Sequence, residues 1–508
     1  MAVLNALDIA LVLLTAAVVY WILHSGRRPT SSLPKPPGPK PWPVIGNLLD
    51  MPRKQEWETF SEWATTYGDI VYVNVAGHPI LILNTVEVVT DLLLERSMIY
   101  SDRPSLPLVD LLGHPEFNFT FMQYGKELQE HRKVFANGFK KSRLSDYYDT
   151  QYTTTISTLR NMRDDPVNHR NHFRLHAGQL IISATYGLKV ESFMDPLIQQ
   201  AEAALAALSF ALSPVMWVVN PVPIFSALPT WLGGSNLARW KQDLYEIQYV
   251  PFNRTKQLMA AGSAPESFSS TLLQELDAKS DQEREEAETI IRDCATVAYG
   301  GASDTTVSVE SSFLLAMLLY PQVQERAQKE IDSVVENDRL PTFEDRSKLP
   351  YITGIVKEAL RWHSPAPQGI PHKLTRDDEY QGLLLPGGSL VMINVWHILQ
   401  DPKTFKNPNE FRPERHLPED PEFSAKIEQA SRIVFGSGKR ACPGQAFAED
   451  ALWLLFARFL AVFSVGRDPA GGSPTKPEFQ SGSLSHPVPF KCDMRVRSAT
   501  RSNLLDQE

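Results

Sequence analysis

The sequence predicts a mainly α-helical protein with small β-sheets, preceded by one N-terminal transmembrane helix. Residues 9–23 contain no charged side chain, which favours a membrane span. Residues 266–320 contain no proline and carry acidic residues near the predicted helix start, as a long helix prefers. Two short apolar runs within residues 70–83 are typical of strands.

The chain as a whole has an ordinary globular composition. It has 508 residues, of which 43% are hydrophobic and 21% charged, and its net charge is -9. An acidic chain without a basic stripe is not expected to bind nucleic acid. Its three cysteines, Cys294, Cys442 and Cys492, are too scattered for a disulfide framework or a zinc site, so a reducing compartment is expected.

Residues 1–26 are predicted to be a membrane anchor. The apolar run extends back to the first residue with only Asn5 and Asp8 interrupting it, whereas a signal peptide begins with basic residues. Positive charges follow the run at Arg27 and Arg28, so the positive-inside rule leaves the rest of the chain in the cytosol. A buried N-terminal helix is the alternative, but such a helix normally shows a polar face.

Residues 27–47 are predicted to be a proline-rich linker and residues 48–508 a single large domain. Closely spaced prolines exclude helix from the linker and favour a stiff extended segment. Residues 70–83 predict two strands around a Gly-His-Pro turn. A helix of roughly 35 residues, about 50 Å long, is predicted to run from residue 283 to residue 320 and to cross the whole domain.

The segment FGSGKRACPG, residues 435–444, holds one cysteine among three glycines and two cations. Cys442 has three interpretations: a buried hydrophobe, a redox-active thiol or a metal ligand. The glycines permit close approach to a flat ligand, and Arg440 supplies a cation that a core cysteine does not need. Pro443 predicts the start of a helix whose amides would stabilise a thiolate. A redox-active thiol usually has a resolving cysteine nearby, and the sequence places none close to Cys442.

Five positions in this segment resemble the FxxGxRxCxG signature of the cytochrome P450 haem-thiolate monooxygenases. They are Phe435, Gly438, Arg440, Cys442 and Gly444. The resemblance implies the cytochrome P450 fold for residues 48–508, with haem b bound through a Cys442 thiolate that ligates the iron and favours cleavage of the O–O bond. It also implies that Phe435 packs beside the sulfur and that Arg440 pairs with a haem propionate.

Two further segments follow in the family's order along the chain. KEALR places Glu358 and Arg361 three residues apart, where they can form an ion pair on one helix face, and FRPERH adds Arg415. The resemblance implies that these three residues form the Glu-Arg-Arg cluster that braces the cysteine loop, with a role in structure and haem retention. An E-x-x-R pair alone would be unremarkable on a solvated helix.

The segment GGASDTT, residues 300–306, resembles the oxygen-activating element of the family's long helix. The resemblance implies that Asp304 and the Thr305 hydroxyl relay protons to bound oxygen, in a locally loosened helix. Ala302 stands where the family normally has glycine. Its methyl group is therefore expected to narrow the oxygen groove or to touch the substrate.

Another set of positions resembles the family's ligands to the haem propionates. The family commonly shows W-x-x-x-R where this chain has Leu128 and Arg132, so one hydrogen bond to a propionate is expected to be missing. Arg132 with His131 is expected to serve one propionate, and His372 in GIPHKL matches a position that reaches the other. His372 could instead be an ordinary turn residue at the start of a strand.

The family's pocket positions fall on mostly apolar residues in this chain. The resemblance places the walls in residues 105–120 and at Ala298, Ala302, Ala366, Ile370 and Leu484. The apolar residues 213–234 lie between the helices that roof the family's pocket, and their aromatic side chains are expected to dip into the bilayer. A lipophilic small-molecule substrate that enters from the membrane is therefore expected.

The chain lacks a dinucleotide-binding fingerprint, so its electrons must come from a partner. The resemblance implies NADPH-cytochrome P450 reductase as the donor, with cytochrome b5 as an alternative donor. A basic patch could receive the reductase, although its residues could equally be solvated surface: Arg132, Lys133, Lys140, Lys141 and Lys439. We expect a monomer with a single span in the endoplasmic reticulum membrane and the catalytic domain in the cytosol.

The overall pattern looks most similar to fungal microsomal members that act in secondary metabolism, so hydroxylation of a terpenoid or polyketide is expected. Oxidation of xenobiotic or aromatic compounds is the alternative within the same class. An oxygen-independent isomerase or dehydratase on this fold would tend to lack the acid-threonine pair, which Asp304 and Thr305 supply. A haem-binding protein without turnover is the remaining alternative, which an absence of reductase-dependent oxygen consumption would favour.

Overall fold

The computed structural model describes residue 15 and residues 32–212, 234–276, 280–336 and 338–507. These residues form a mainly helical structure with a small four-stranded sheet and two further strand pairs, so the mainly α-helical part of the predicted fold class is confirmed. The α-helices are α1 Glu56–Tyr67, α2 Val86–Val89, α3 Ser97–Tyr100, α4 Pro107–Leu111, α5 His114–Phe117, α6 Lys126–Gly138, α7 Tyr148–Asp164, α8 His169–Tyr186, α9 Pro196–Ala211, α10 Gly234–Ala260, α11 Phe268–Gln274, α12 Asp281–Leu319, α13 Pro321–Val335, α14 Pro350–Trp362, α15 Val395–Leu399, α16 Ala425–Arg432, α17 Gln445–Val462 and α18 Ala499–Gln507.

Shorter helical turns connect several of these helices. A π-helical turn spans Thr90–Glu95, and 3-10 turns span Lys141–Tyr147, Pro166–Asn168, Phe343–Lys348, Pro413–His416, Ile433–Phe435 and Gly438–Arg440.

The strands contribute one sheet and two separate pairs. They are β1 Ile70–Val75, β2 His78–Leu83, β3 His372–Lys373, β4 Asp378–Tyr380, β5 Leu383–Leu385, β6 Leu390–Ile393, β7 Phe463–Gly466 and β8 Asp493–Val496. The sheet has the order β1-β2-β6-β3, in which β2 and β6 are parallel and the other neighbours antiparallel. Strands β4 and β5 form one antiparallel pair, and β7 and β8 form the other.

The predicted hairpin between β1 and β2 is confirmed, but its predicted turn is wrong in position. Ala76 and Gly77 make the turn with φ of 49° and 92°, whereas His78 and Pro79 already belong to β2. Glycine adopts a positive φ at little cost, so the turn forms there rather than at the proline.

The long helix α12 runs through the centre of the protein over 39 residues. A capping box starts it, in which Ser280 caps the first turn and the Glu283 carboxylate accepts from the Ser280 amide. Its first half packs in one apolar cluster with α6, α8 and α9, and its second half packs in another with α14 and α17. The two clusters meet near GGASDTT, so the predicted oxygen-activating segment lies where the two halves of the core join.

The proline-rich linker lies against the domain. The carbonyls of Pro34 and Pro37 accept hydrogen bonds from the amides of Leu384 and Tyr72 at 2.8 and 2.9 Å. Gly38 permits this contact, because a Cβ there would stand 1.9 Å from the Tyr72 carbonyl oxygen. Residues 34–38 of the linker are therefore fixed to the strands by backbone hydrogen bonds, whereas residues 43–45 form a turn.

Of the predicted anchor, residues 1–26, all but Thr15 lie outside the described residues, as do residues 213–233 of the apolar roof segment. Among the helices that the structure describes, none is both long enough and apolar enough to span a bilayer. The transmembrane helix and the bilayer contact of the roof segment remain predictions.

Candidate active site

Cys442 lies in the loop that leads into helix α17. The Cys442 amide donates to the Phe435 carbonyl at 2.7 Å, which closes the loop on itself. The helix begins at Gln445, so the predicted start at Pro443 is wrong by two residues, and Pro443 belongs to the turn before the helix.

Two glycines of the loop are explained by their surroundings. Gly438 has a φ of +58°, and a Cβ there would stand 2.0 Å from the Leu93 carbonyl oxygen, so glycine lets the loop dock on the π-helical turn. A Cβ at Gly444 would lie 4.0 Å from the Cys442 Sγ. Glycine at this position therefore leaves that side of the sulfur uncovered.

The Cys442 thiol sits in a site that can support a thiolate. The residue is exposed, yet the protein atoms around the sulfur desolvate it, and this effect raises the pKa of the thiol overall. The amides of Gly444 and Gln445 donate to Sγ, and with the charge of Arg132 they act to lower the pKa. A metal ion bound to this sulfur would displace the thiol proton.

Arg440 is buried behind the loop and is held by the backbone of the segment before α6. Its guanidinium donates to the carbonyls of Ser101, Phe119 and Met122 at 2.8, 2.9 and 2.5 Å. Arg440 therefore joins the cysteine loop to this neighbouring segment.

A second buried arginine, Arg103, lies close to Arg440. It donates to the carbonyls of Thr120, Ile370 and Pro371 at 2.8, 2.8 and 2.5 Å. Sequence alone does not identify Arg103, because the run Ser-Asp-Arg-Pro shows only a cation beside an acid.

Together with Arg132 and His372, these arginines form a group that we name the cation cluster: Arg103, Arg132, Arg440 and His372. Arg132 donates to the Ala441 carbonyl at 2.7 Å, and the His372 ring donates from Nδ1 to the Tyr100 carbonyl at 2.9 Å. His372 also begins strand β3, and its contact with a propionate stays a prediction.

The members of the cation cluster repel one another. Burial lowers the pKa of Arg103 most, and the charges of Arg440 and Arg132 lower it further. Burial, then Arg103 and Arg440, likewise lower the pKa of His372. Asp102 is the acid that counteracts these effects at Arg103 and Arg440. A buried group with more cations than carboxylates is suited to bind anions such as carboxylates.

His131 lies outside the cation cluster. Its Nδ1 donates to the Glu127 carbonyl at 2.9 Å, and its Nε2 faces the Asp293 carboxylate of α12 at 3.6 Å. Burial alone would lower the pKa of His131, but Asp293 raises it overall. The His131 ring connects α6 to α12, and its expected assistance to Arg132 at a propionate stays a prediction. Leu128, in place of the family's tryptophan, is buried in the apolar cluster around α6.

Helix α12 continues without a break through GGASDTT, so Ala302 does not disturb it, and the expected local loosening is not seen. The Thr305 Oγ1 donates to the Gly301 carbonyl at 2.7 Å, and the Asp304 carboxylate lies 3.1 Å from the His486 Nε2. Burial alone would raise the pKa of Asp304, but the hydrogen bond from His486 and nearby arginines lower it overall. Asp304 is therefore an ionised carboxylate beside Thr305.

The predicted Glu-Arg-Arg cluster is formed in the core. Glu358 receives two hydrogen bonds from Arg361 at 2.8 Å, one from Arg415 at 3.2 Å and one from the backbone of Arg412 at 2.8 Å. His416, which sequence alone does not identify, adds a contact at 3.0 Å. Burial alone would raise the pKa of Glu358, but these cations and the histidine lower it far below its usual value.

The two arginines of this cluster also hold the chain that leads towards the cysteine loop. Arg361 donates to the carbonyls of Leu399 and Glu410 at 3.0 and 3.1 Å, and Arg415 donates to the Lys406 carbonyl at 3.0 Å. The cluster thus fixes α14 to residues 399–416.

The predicted pocket residues fall on α12 and on two loops. Ala298 is buried and Ala302 partly buried, one helical turn apart in the same apolar cluster. Ile370 is exposed and Ala366 and Leu484 are partly exposed on their loops. The structure therefore brings the two alanines together and leaves the role of the loop residues as a prediction.

Comparisons with known proteins agree with this site. A family model described as Cytochrome P450 matches residues 36–494. The chain is 36% identical to Cytochrome P450 monooxygenase 208 of Postia placenta over 98% of this chain and 97% of that protein. It is 36% identical to Cytochrome P450 monooxygenase COX1 of Coprinopsis cinerea over 94% of each chain. It is also 35% identical to Tryptamine 4-monooxygenase of Psilocybe cyanescens, over 95% of this chain and 97% of that protein.

The family match covers nearly the whole described chain, and it includes the cysteine loop, the Glu-Arg-Arg cluster and the acid-threonine segment. These relatives are named monooxygenases, and the similarity extends over almost their full length. The chain therefore belongs to the cytochrome P450 family and is an oxidoreductase of its monooxygenase class.

Proposed function

We propose that this protein is a haem-thiolate monooxygenase that hydroxylates a lipophilic secondary metabolite, a terpenoid or polyketide, with electrons from NADPH-cytochrome P450 reductase. The observation that carries this proposal is the position of the Cys442 thiol beside the cation cluster. Haem b has an iron that accepts an axial ligand and two carboxylates that need cations. A sulfur that faces helix amides and a buried excess of positive charge meet both needs.

Each part of the site has a task in this proposal. When bound, haem supplies the reductive activation of dioxygen. Cys442 would ligate the iron, and Arg103, Arg132 and Arg440 would pair with the propionates. The Phe435 carbonyl holds the Cys442 amide and so fixes the direction of the sulfur.

Asp304 and Thr305 would relay the protons that oxygen chemistry consumes. The Thr305 hydroxyl donates a hydrogen bond to the Gly301 carbonyl, so its oxygen can still accept a hydrogen bond from a neighbour. The adjacent Asp304 carboxylate is ionised, so it can accept a proton and then pass it on. This pair also favours a monooxygenase over an isomerase or dehydratase.

Thr305→Ala should bind haem normally but uncouple electron use from product formation. The variant loses a single helix-surface hydrogen bond, about 1 kcal/mol, so folding should persist. Product per NADPH should fall by ~10-fold or more, which is less than the largest rate contribution of a general acid-base group. Released peroxide should rise. The measurement is the ratio of product and peroxide to NADPH consumed.

Ser303→Ala is the matched control for this variant, because its hydroxyl also faces a carbonyl of α12, that of Gly300 at 3.5 Å. This control should keep the ratio of the unmodified protein. Full coupling in Thr305→Ala would contradict the proton-relay role.

The substrate class is inferred from the pocket and the relatives. Ala298 and Ala302 present small apolar side chains within an apolar cluster, which suits a lipophilic ligand. Oxidation of an aromatic compound is the second candidate, because one relative is named a tryptamine 4-monooxygenase. The two candidates differ in charge, since tryptamine carries an amine.

A panel of one sesquiterpene, one aromatic polyketide and tryptamine tests the substrate class. A terpene or polyketide should shift the haem absorption spectrum at micromolar concentration, and Ala302→Phe should weaken that binding by ~10-fold or more through overpacking. Met194→Phe, at an exposed position, is the control and should bind as the unmodified protein does. Binding and turnover of tryptamine alone would favour the second candidate.

The proposed partner and location rest on surface features. Lys133, Lys140, Lys141 and Lys439 are exposed, and Arg132 links α6 to the cysteine loop, so positive charge surrounds the side on which the sulfur lies. The uncharged run of residues 9–23 would anchor the protein to the endoplasmic reticulum membrane with this surface in the cytosol. A form that starts at residue 27 should leave the microsomal pellet; full retention would contradict the anchor.

A further inference from the structure

We propose that His486 is the proton inlet of this enzyme, taking protons from water in a surface cleft and passing them to Asp304. This inference rests on the proposed monooxygenase function, because it assigns a source to the protons that Asp304 and Thr305 deliver. Three observations carry it: the contact with Asp304, the free ring nitrogen, and the cleft.

The first observation is the contact between the ring and the acid. His486 lies in the loop before β8, and its Nε2 is 3.1 Å from the Asp304 Oδ1, although the two residues are far apart in sequence. Asp304 immediately precedes Thr305 on α12. One nitrogen of the imidazole is therefore directed at the acid of the acid-threonine pair.

The second observation is the other ring nitrogen. The His486 Nδ1 is buried and has no hydrogen-bond partner among the residues that the structure describes. A buried polar nitrogen without a protein partner is normally satisfied by water. The ring thus has one nitrogen on the acid and one that requires a solvent partner.

The third observation is a cleft that brings solvent to this ring. The cleft has a volume of about 150 Å³ and is open to the surface. Its lining includes His169, Arg170, Ser311, His486, Pro487 and Phe490. A cleft of this size can hold several water molecules, and its lining includes His486 but not Asp304.

The charges around His486 and Asp304 favour the ionised form of the Asp304 carboxylate, so this carboxylate holds a proton only briefly during transfer. Arg170 and Arg174 of α8 act on Asp304 and, with His486, lower its pKa overall against the effect of burial. Glu202 of α9 also faces His486, and His363 at the end of α14 lies close enough to feel its charge. The His486 ring therefore lies near the carboxylates of Asp304 and Glu202 and near His363. Burial lowers the pKa of His363 to about 3.

The loop does not depend on His486 alone for its position. The neighbouring Ser485 donates from its amide to the Pro365 carbonyl at 2.8 Å, accepts from the Ser308 hydroxyl at 2.5 Å through its carbonyl, and contacts the His363 ring at 2.7 Å. Because Ser485 already fixes the loop to α12 and α14, His486 is available for a role other than anchoring.

The proton transfer is balanced without any further reactant. Because Nδ1 is buried, the ring must first move towards the cleft. Water there then gives a proton to Nδ1, which makes the ring an imidazolium and leaves hydroxide to the solvent buffer. Nε2 then gives its proton to the Asp304 Oδ1, and the ring becomes neutral with a proton on Nδ1. Movement of the ring towards the cleft then lets water give a proton to the bare Nε2 and lets the hydroxide that remains take the proton from Nδ1, which restores the starting tautomer.

The first test is a double-mutant cycle on the melting temperature of the haem-loaded protein, which needs no substrate. The proteins are the unmodified chain, His486→Gln, Asp304→Asn and the double variant, each at pH 6.0 and pH 8.5. The ion pair requires a ring that carries a proton on both nitrogens, and a lower pH favours that form of any imidazole. The coupling between the two sites should be larger at pH 6.0 than at pH 8.5.

Equal coupling at both pH values would overturn the proposal, because the ring would then not exchange protons while it contacts Asp304. If His486→Gln fails to fold, the comparison of the unmodified chain with Asp304→Asn decides. The advantage of the unmodified chain should be larger at pH 6.0, and an advantage that does not change with pH would overturn the proposal.

The second test is the pH profile of coupling, with the terpene or polyketide of the panel that gives the largest spectral shift. The unmodified protein should lose product per NADPH as the pH rises from 6.0 to 8.5, whereas His486→Gln should be low and independent of pH. His169→Gln is the control, because His169 lines the same cleft without reaching Asp304. This variant should follow the pH profile of the unmodified protein. Identical profiles in His486→Gln and the unmodified protein would overturn the inlet. Absence of NADPH-dependent turnover in the unmodified protein would instead overturn the proposed function.

Discussion

Glu358→Gln is expected to prevent accumulation of the haem-loaded protein. The substitution keeps the shape of the side chain but leaves Arg361 as a buried charge without a carboxylate, and Arg415 with only the Glu422 carboxylate at 3.6 Å. Breaking a buried ion pair in this way costs about 3–5 kcal/mol, a large part of a total stability of about 5–15 kcal/mol. The measurements are the yield of haem-loaded protein and the free energy of unfolding in denaturant.

Lys357→Ala is the matched control, since it removes an ion pair from the neighbouring position of the same helix. Lys357 and Glu428 are 2.9 Å apart, but both side chains are partly exposed to water. The expected loss is at most ~1 kcal/mol, because water and salt screen such a pair. A Glu358→Gln protein with normal haem content and a loss no larger than this control would refute the bracing role of the cluster.

Cys442→Ala is expected to remove the thiolate-type absorption band of the reduced, carbonyl-bound haem and to abolish turnover. Loss of an outer-shell partner of a metal alone costs about 10- to 100-fold in affinity or activity, so loss of the ligand itself should cost more than ~100-fold. The polypeptide should still fold, because the Cys442 side chain is exposed and contributes little to the core. The measurements are the absorption spectrum and NADPH-dependent product formation.

Cys492→Ala provides the control for this variant, since Cys492 is partly buried against the main core and is remote in sequence from the loop. It should keep the band and the activity. An unchanged band in Cys442→Ala, or its loss in Cys492→Ala, would remove the ligand assignment.

Short-range features of the site could be predicted from the sequence. The cysteine loop and the acid-threonine segment are runs of at most ten residues, so each motif shows its own pattern. The long helix was also predictable within two residues, because acidic residues near its start and a proline-free run mark it. In the cysteine loop, Gly438 proves necessary for a reason that sequence cannot show, namely the Leu93 carbonyl against which it packs.

Pairs of residues distant in sequence account for most of what could not be predicted. Arg103, His416 and His486 acquire their roles only when the fold brings them to Arg440, Glu358 and Asp304. A single cation or histidine in a loop carries no pattern of its own.

Neighbouring residues on one helix can also diverge, which a linear motif does not reveal. Arg132 and His131 are adjacent in sequence, yet Arg132 bonds to the cysteine loop and His131 faces Asp293 on α12. Adjacent residues of a helix point about 100° apart, so the two side chains make different contacts here.

The central claim is that the sulfur of Cys442 binds the iron of a haem. X-ray absorption at the iron edge of the purified, unmodified protein measures this most directly, because it identifies the atoms bound to iron. The account predicts one sulfur ligand in addition to the porphyrin nitrogens. A purified protein whose iron has only nitrogen and oxygen ligands, or which contains no porphyrin, would contradict it.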